Sequence, residues 1–129
     1  MNETVSDTRH SPLNGRDFID QRIADPQHPV VLFSLSWCSF CRAAKQLLAQ
    51  IGVKHEVFEL DQGVFLEPAV QQQVRTRLAE ITGSGTLPQL FVGGENLGGY
   101  TDVAAAMRNG QLARVLQRHG ISTSLPTPP

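Results

Sequence analysis

Apolar and polar positions change their period several times along the chain, and each change marks an element. Phe18, Ile19 and Ile23 recur at helical spacing between Arg16 and Asp25, and Pro26 stops that helix because proline disfavours helical geometry in the residue before it. Val30 to Leu35 is a short β-branched, apolar run after Pro29, the pattern of a strand buried on both faces. From Cys41 the positions Cys41, Ala44, Leu47, Leu48 and Ile51 line one helix face, with Gly52 where a left-handed C-terminal cap belongs. Val53 to Leu60 returns to extended, alternating chemistry. Strand, helix and strand therefore predict a parallel unit with a right-handed crossover.

Val70, Val74, Leu78 and Ile81 mark a further helix that starts near Glu67 and Pro68, where a first-turn proline is tolerated, and ends at Gly83. Leu90 to Val92 and Asn96 to Leu97 flank Gly93-Gly94-Glu95 and read as a tight hairpin. Thr101 or Asp102 is placed to cap a helix running through Met107, and Gln111 to His119 form another after Asn109-Gly110. Residues 1–12 and 121–129 are polar or proline-rich and read as mobile tails around one domain spanning 13–120. Within Asp61 to Pro68, the trio Val64, Phe65 and Leu66 has two readings, packing over the helix that follows or contacting a partner.

Composition narrows the class without changing these elements. With 129 residues, 40% of them hydrophobic and 18% charged, the chain suits one globular domain that needs no metal or disulfide staple. Eleven basic against twelve acidic side chains give a net charge of -1, which offers no long-range attraction to phosphate backbones or anionic lipid. Neither nucleic acid nor membrane is therefore expected as a partner. No run approaches the roughly 20 apolar residues of a membrane span, and the polar N-terminal stretch lacks the apolar core of a secretory signal. The expected compartment is the cytoplasm.

The chemistry concentrates in Trp37-Cys38-Ser39-Phe40-Cys41. A loop between cysteines three positions apart is too short to staple a fold by entropy, so the pair needs a chemical explanation. Cys-x-x-Cys where a strand turns into a helix is a dithiol redox site. The unpaired N–H groups of a helix N-terminus favour thiolate over thiol on Cys38, which makes Cys38 the expected nucleophile and the more buried Cys41 the resolving thiol. Two other readings compete: both cysteines as small inert core residues, and a zinc site. The second needs four ligands, and His10, His28, His55 and His119 are scattered without ligand spacing.

Across roughly Val30 to Gly120 the sequence resembles the glutaredoxins. VVLFSLSWCSFCRAAKQLL is similar to the active-site strand and helix of that family, and TGSGTLPQLFVGGENLGGYTD to its later proline loop and hairpin, in the same order and separation. The resemblance implies a thioredoxin-like α/β fold with a central mixed four-stranded sheet flanked by helices. It implies a dithiol Cys-Ser-Phe-Cys site in which Cys38 attacks and Cys41 resolves, with Phe40, Thr86, Leu87, Pro88, Gly99, Tyr100, Thr101 and Asp102 around glutathione. Leu87-Pro88 is then expected to be cis, whereas Pro88 taken alone reads as an ordinary loop proline. Thr101 and Asp102 would hold the γ-glutamyl end, a role compatible with helix capping.

Several positions depart from the family pattern, among them Ser39, which replaces the common proline inside the motif. Leu35 stands where a lysine is frequent and Gly85 where a basic residue is frequent, so two grips on glutathione and one source of thiolate stabilisation are missing; Arg42 or Lys45 are the candidate substitutes. Phe40 keeps an aromatic ring but loses the hydroxyl of the usual tyrosine. The implied activity is glutathione-dependent thiol–disulfide oxidoreduction on protein disulfides and glutathionylated proteins, with glutathione reductase and NADPH regenerating the thiol. Ser39 and Trp37 also resemble members that hold a two-iron two-sulfur cluster between two protomers, so the chain is expected as a monomer, or as a dimer when cluster-bound through Cys38. A third reading is a carrier served by thioredoxin reductase; Thr101 and Asp102 favour glutathione over it.

Overall fold

The computed structural model describes residues 13–125; the tail expected at 1–12 and the last four residues of the one expected at 121–129 lie outside that range. Helix α1 (Gly15–Ala24) precedes strand β1 (Val30–Ser34), and α2 (Ser39–Gln50) leads to β2 (Glu56–Glu59). A short 3-10 turn (Gly63–Leu66) and α3 (Pro68–Thr82) follow, then β3 (Gln89–Val92), β4 (Glu95–Gly98), α4 (Tyr100–Arg108) and α5 (Gln111–Arg118). The strands form one mixed sheet in the order β2-β1-β3-β4, parallel between β1 and β2 and antiparallel in the other two pairs.

The sheet is covered on both faces, and the alternation of its side chains decides which helices lie where. Val30, Leu32, Leu90 and Val92 face Ala44, Leu47 and Leu48 of α2, Val103 of α4 and Leu112 and Leu116 of α5. Val31, Phe33 and Phe91 face the other way, toward Ile19 of α1 and Val70, Val74 and Leu78 of α3. β1 is therefore buried along its whole length, as an apolar run with no polar face must be. Full burial of each such aliphatic side chain stabilises the fold by about 1.5–3 kcal/mol. α1 and α3 approach so closely that a methyl on Gly15 would lie 2.7 Å from the Gln73 Cβ, and the Gly15 N–H donates to Gln73 Oε1 at 2.7 Å.

Several boundaries differ from the sequence expectation. β2 occupies only 56–59 of the expected 53–60, because it is an edge strand whose pairing with β1 runs from Val31–Glu56 to Ser34–Glu59. The hairpin turn is the pair Gly93-Gly94, both at positive φ, so Glu95 belongs to β4. In the stretch Asp61 to Pro68, Phe65 turns inward and meets the Phe18 ring edge-on at 5.2 Å, while Val64 and Leu66 remain exposed. The apolar trio is thus divided between core and surface. Ile121 to Leu125 have no regular structure but are docked: Thr123 Oγ1 and the Ser124 N–H both donate to the Ile51 carbonyl at 2.7 Å, and Ile121 and Leu125 pack on the core. The described part of the expected C-terminal tail is a strap over the end of α2, where an unpaired carbonyl attracts donors.

Candidate functional site

After Ser34 the chain makes a turn from Leu35 to Cys38, closed by the Cys38 N–H donating to the Leu35 carbonyl at 3.3 Å. Cys38 has extended backbone geometry and is itself the N-cap of α2. Its sulfur accepts the Cys41 N–H at 3.4 Å, so a thiolate takes the place that a serine or aspartate oxygen usually fills. Burial pushes the Cys38 thiol up, but hydrogen bonds from the Cys41 thiol and from the N–H groups of Cys41 and Phe40, with the Arg42 charge, together hold it below the usual thiol range. Cys41 is fully buried, and that burial raises its thiol above the usual range against the Leu35 N–H, which donates to its sulfur at 3.3 Å. Both thiols are free. One sulfur is thus partly exposed and acidic, the other buried and less acidic.

Beside Cys38 lies a cleft of about 440 Å³. Its walls include Phe40 from α2, the segment Thr86-Leu87-Pro88 and Gly99-Tyr100-Thr101-Asp102 at the start of α4, so the ring, the proline loop and the helix start expected from sequence meet in one place. The Cys38 sulfur is 4.0 Å from the Leu87 carbonyl at the cleft's edge, and the Leu87-Pro88 peptide is cis. The Phe40 and Tyr100 rings stack with centroids 6.2 Å apart and planes 29° apart, joining the starts of α2 and α4. Among the described residues, Asp102 is the one charged residue lining the cleft.

The α4 start corrects the expected cap. Gly99 is the N-cap, and neither Thr101 nor Asp102 occupies that position; Asp102 sits in the first turn and its Oδ2 accepts the Gly99 N–H at 3.1 Å. This reach-back depends on Gly98, which has φ of 87° and whose missing Cβ would collide with the Asp102 carboxylate.

Several contributors were not singled out from sequence. Gln89, buried at the start of β3, donates from Nε2 to the Thr86 carbonyl at 3.1 Å and accepts from Asn96 Nδ2 at 3.1 Å, fixing the proline loop from beneath. Ser84 and Thr86 share a hydroxyl–hydroxyl bond of 2.7 Å, and Thr82 Oγ1 accepts the Ser84 N–H at 3.1 Å. The run Thr-x-Ser-x-Thr before Leu87-Pro88 was the available signal, since hydroxyls two residues apart order loops through their own backbone. Of the two candidate substitutes for a lysine at position 35, Arg42 acts on Cys38 by charge, while Lys45 is paired with Glu59 at 2.6 Å. Leu35 itself, like Leu87, is partly buried against the core cluster under α1 and α3. Arg75 of α3 reaches the Gly85 carbonyl at 3.4 Å and brings a cation to the loop that lacks one of its own. Among the described residues, no three His, Cys, Asp or Glu side chains stand together as a metal site.

A family model described as Glutaredoxin matches residues 30–97. The rice (Oryza sativa subsp. japonica) protein named Monothiol glutaredoxin-S10 is 38% identical over 108 residues, which are 84% of this chain and 62% of that protein. The Ricinus communis protein named Glutaredoxin is 38% identical over 91 residues, 70% of this chain and 84% of that one. The crystal structure of a buckwheat glutaredoxin–glutathione complex superposes with a TM-score of 0.72 at 29% identity, covering 82% of this chain and 90% of that one.

Proposed function

The chain belongs to the glutaredoxin family, and from that membership we propose that it is a glutathione-dependent thiol–disulfide oxidoreductase working through Cys38. The observation that carries this reading is the placement of the acidic Cys38 sulfur at the α2 N-terminus, 4.0 Å from the Leu87 carbonyl beside the cleft. The Cys38 thiolate attacks the glutathione sulfur of a glutathionylated protein; an S–S bond forms between Cys38 and glutathione, and the protein leaves as thiolate. A second glutathione thiolate then attacks the glutathione sulfur on Cys38, giving glutathione disulfide and restoring the Cys38 thiolate. On a protein disulfide, the Cys38 thiolate bonds to one substrate sulfur while the other leaves as thiolate. Cys41 or a glutathione thiolate then attacks the Cys38 sulfur and releases the substrate as dithiol, and further glutathione reduces the resulting Cys38–Cys41 or Cys38–glutathione disulfide, itself becoming glutathione disulfide. NADPH and glutathione reductase return the disulfide to thiol, and the proposed compartment is the cytoplasm. No helix among the described residues is long and apolar enough to cross a membrane.

In this reading the glutathione backbone runs along Thr86-Leu87-Pro88, with the cysteine sulfur toward Cys38 and Phe40. The γ-glutamyl group reaches Gly99, Tyr100, Thr101 and Asp102, where first-turn N–H groups receive its carboxylate and Asp102 its ammonium. Arg75 is the cation for the glycine carboxylate.

A second reading is a two-iron two-sulfur cluster shared by two copies. It is favoured by the exposure of Trp37 and Phe40, at 71% and 57%, around a single accessible thiolate. One chain does not make such a site, since Cys41 is buried; the second copy's Cys38 and two external thiols would have to complete it. The test is glutathione-coupled reduction of a small mixed disulfide by the wild type, Cys38→Ser and Cys41→Ser. Activity kept in Cys41→Ser and lost in Cys38→Ser supports the oxidoreductase. An inactive wild type that gains visible absorbance when reconstituted with iron, sulfide and glutathione supports the cluster reading instead.

A further inference from the structure

The segment after β2 enters the site through Asp61. Backbone pairing of β1 with the β2 side ends where the Leu60 N–H donates to the Ser34 carbonyl at 2.9 Å. One residue further on, the Asp61 carboxylate accepts three hydrogen bonds from Ser36: the N–H to Oδ1 and Oδ2 at 3.1 and 3.2 Å, and the hydroxyl to Oδ2 at 2.5 Å. Ser36 is the first corner of the Leu35–Cys38 turn, and the opposite end of that turn is the N-cap sulfur of α2. Leu35, the other neighbour of Ser36, donates its N–H to the Cys41 sulfur. Both thiols therefore take their positions from a turn that Asp61 grips.

We propose that Asp61 is a positioning residue for Cys38: its carboxylate latches the turn through Ser36, so that the Cys38 sulfur stays on the first-turn N–H groups of α2 that stabilise it as thiolate. The proposal rests on the reading of Cys38 as the attacking thiolate, and assigns to the stretch beginning at Asp61 a role in that attack. Two effects of removing the carboxylate have opposite signs. Losing a negative charge near a thiolate makes the thiol more acidic, whereas loosening the turn withdraws the Cys41 and Phe40 N–H groups and makes it less acidic. Among the described residues, Cys41 and Arg42 act on the sulfur and Lys45, itself paired with Glu59, acts on the Asp61 carboxylate, and each variant leaves them in place.

The test is the pH profile of Cys38 alkylation by iodoacetamide, followed by mass spectrometry, for the wild type, Asp61→Ala, Asp61→Asn and Ser36→Ala. The midpoint of Asp61→Ala is expected to rise by about half a unit, with alkylation near neutral pH slowing about threefold, the scale of a partly weakened hydrogen bond to a charged group. Asp61→Asn keeps an acceptor for the Ser36 N–H and is expected to restore most of the wild-type midpoint. Ser36→Ala removes only the hydroxyl bond and is expected to shift the midpoint upward by less, which keeps the idea open to refutation if Asp61→Ala does not fold. An unchanged or lowered midpoint in Asp61→Ala or in Ser36→Ala, or an Asp61→Asn profile no better than Asp61→Ala, overturns the latch. A wild-type Cys38 that alkylates only in the ordinary thiol range overturns the attacking-thiolate reading itself; alkylation uses no glutathione, so the two failures are distinguishable.

Discussion

Two helices, α2 and α4, begin beside the same cleft, and their N-termini are finished in different ways. At α2 the cap is a sulfur that also has to react: Cys38 accepts the Cys41 N–H and is held below the usual thiol range. At α4 the N-cap is a glycine with no side chain, and a carboxylate from within the first turn, Asp102, folds back onto its N–H. The same positive helix end is used once to lower the energy of a nucleophile and once to present a surface on which charges can be received. The first end puts chemistry in the cap atom itself; the second leaves the cap to the backbone and keeps the carboxylate at the cleft.

Breaking the α2 end has the largest expected effect: Cys38→Ser keeps an oxygen cap but abolishes turnover in a glutathione-coupled assay, since a hydroxyl at that position is not ionised near neutral pH. Gly98→Ala attacks the α4 end through its backbone. An L-residue at φ of 87° costs about 1–2 kcal/mol before any clash with Asp102, so the melting temperature is expected to fall by several degrees and KM for glutathione to rise severalfold. Asp102→Ala removes the reach-back bond alone; it should cost about 1 kcal/mol in thermal unfolding and raise KM with little change in Cys38 alkylation, which separates the two ends experimentally. Cys41→Ser is expected to retain most turnover on glutathione mixed disulfides, because the buried thiol is not required when a second glutathione resolves the intermediate.

The smallest effect is shared by the rest of the surface. His28 holds the Asp25 carboxyl and His119 and Arg118 hold that of Glu95 below the usual range, as Ser36 does for Asp61 and Arg16 and Arg77 for Glu80. Carboxyls lowered by folding stabilise it fully above their unfolded range and lose that contribution as pH falls through their folded values. The carboxyl contribution to the melting temperature should therefore be flat at neutral pH and decline at pH below the ordinary carboxylate range. Because Glu80 is exposed and Asp25, Asp61 and Glu95 are only partly buried, the decline should be shallower at high salt.

What could be seen in the sequence was local. The Cys-x-x-Cys run, the apolar face from Cys41 to Ile51 and the Gly52 that follows α2 are set by neighbours within a few positions, and each stands in the fold where its spacing implied. The thiol asymmetry followed from the same local reasoning. The α4 cap was misplaced because Gly99 has no side chain to advertise it; Asp102 shows its function only once the chain has turned at Gly98. Gln89 falls just before the strand read at Leu90 to Val92, and its hold on Thr86 is shared with Asn96 from the next strand, a contact no local pattern shows. The Ser36–Asp61 contact spans 25 positions and follows from the register of β1 on β2, which no local pattern encodes.

The strap over the Ile51 carbonyl gives the molecule a built-in reporter. An α-helix rises about 1.5 Å per residue, so the 12 residues of α2 form a rod about 18 Å long with Cys38 at one end and the Ser124 amide at the other. In hydrogen exchange, protection of that single amide measures how often the strap lifts. Comparing it before and after Cys38 is joined to glutathione would read, from the far end of the rod, whether a covalent event at the first turn is transmitted as motion or stops at the residues that make it.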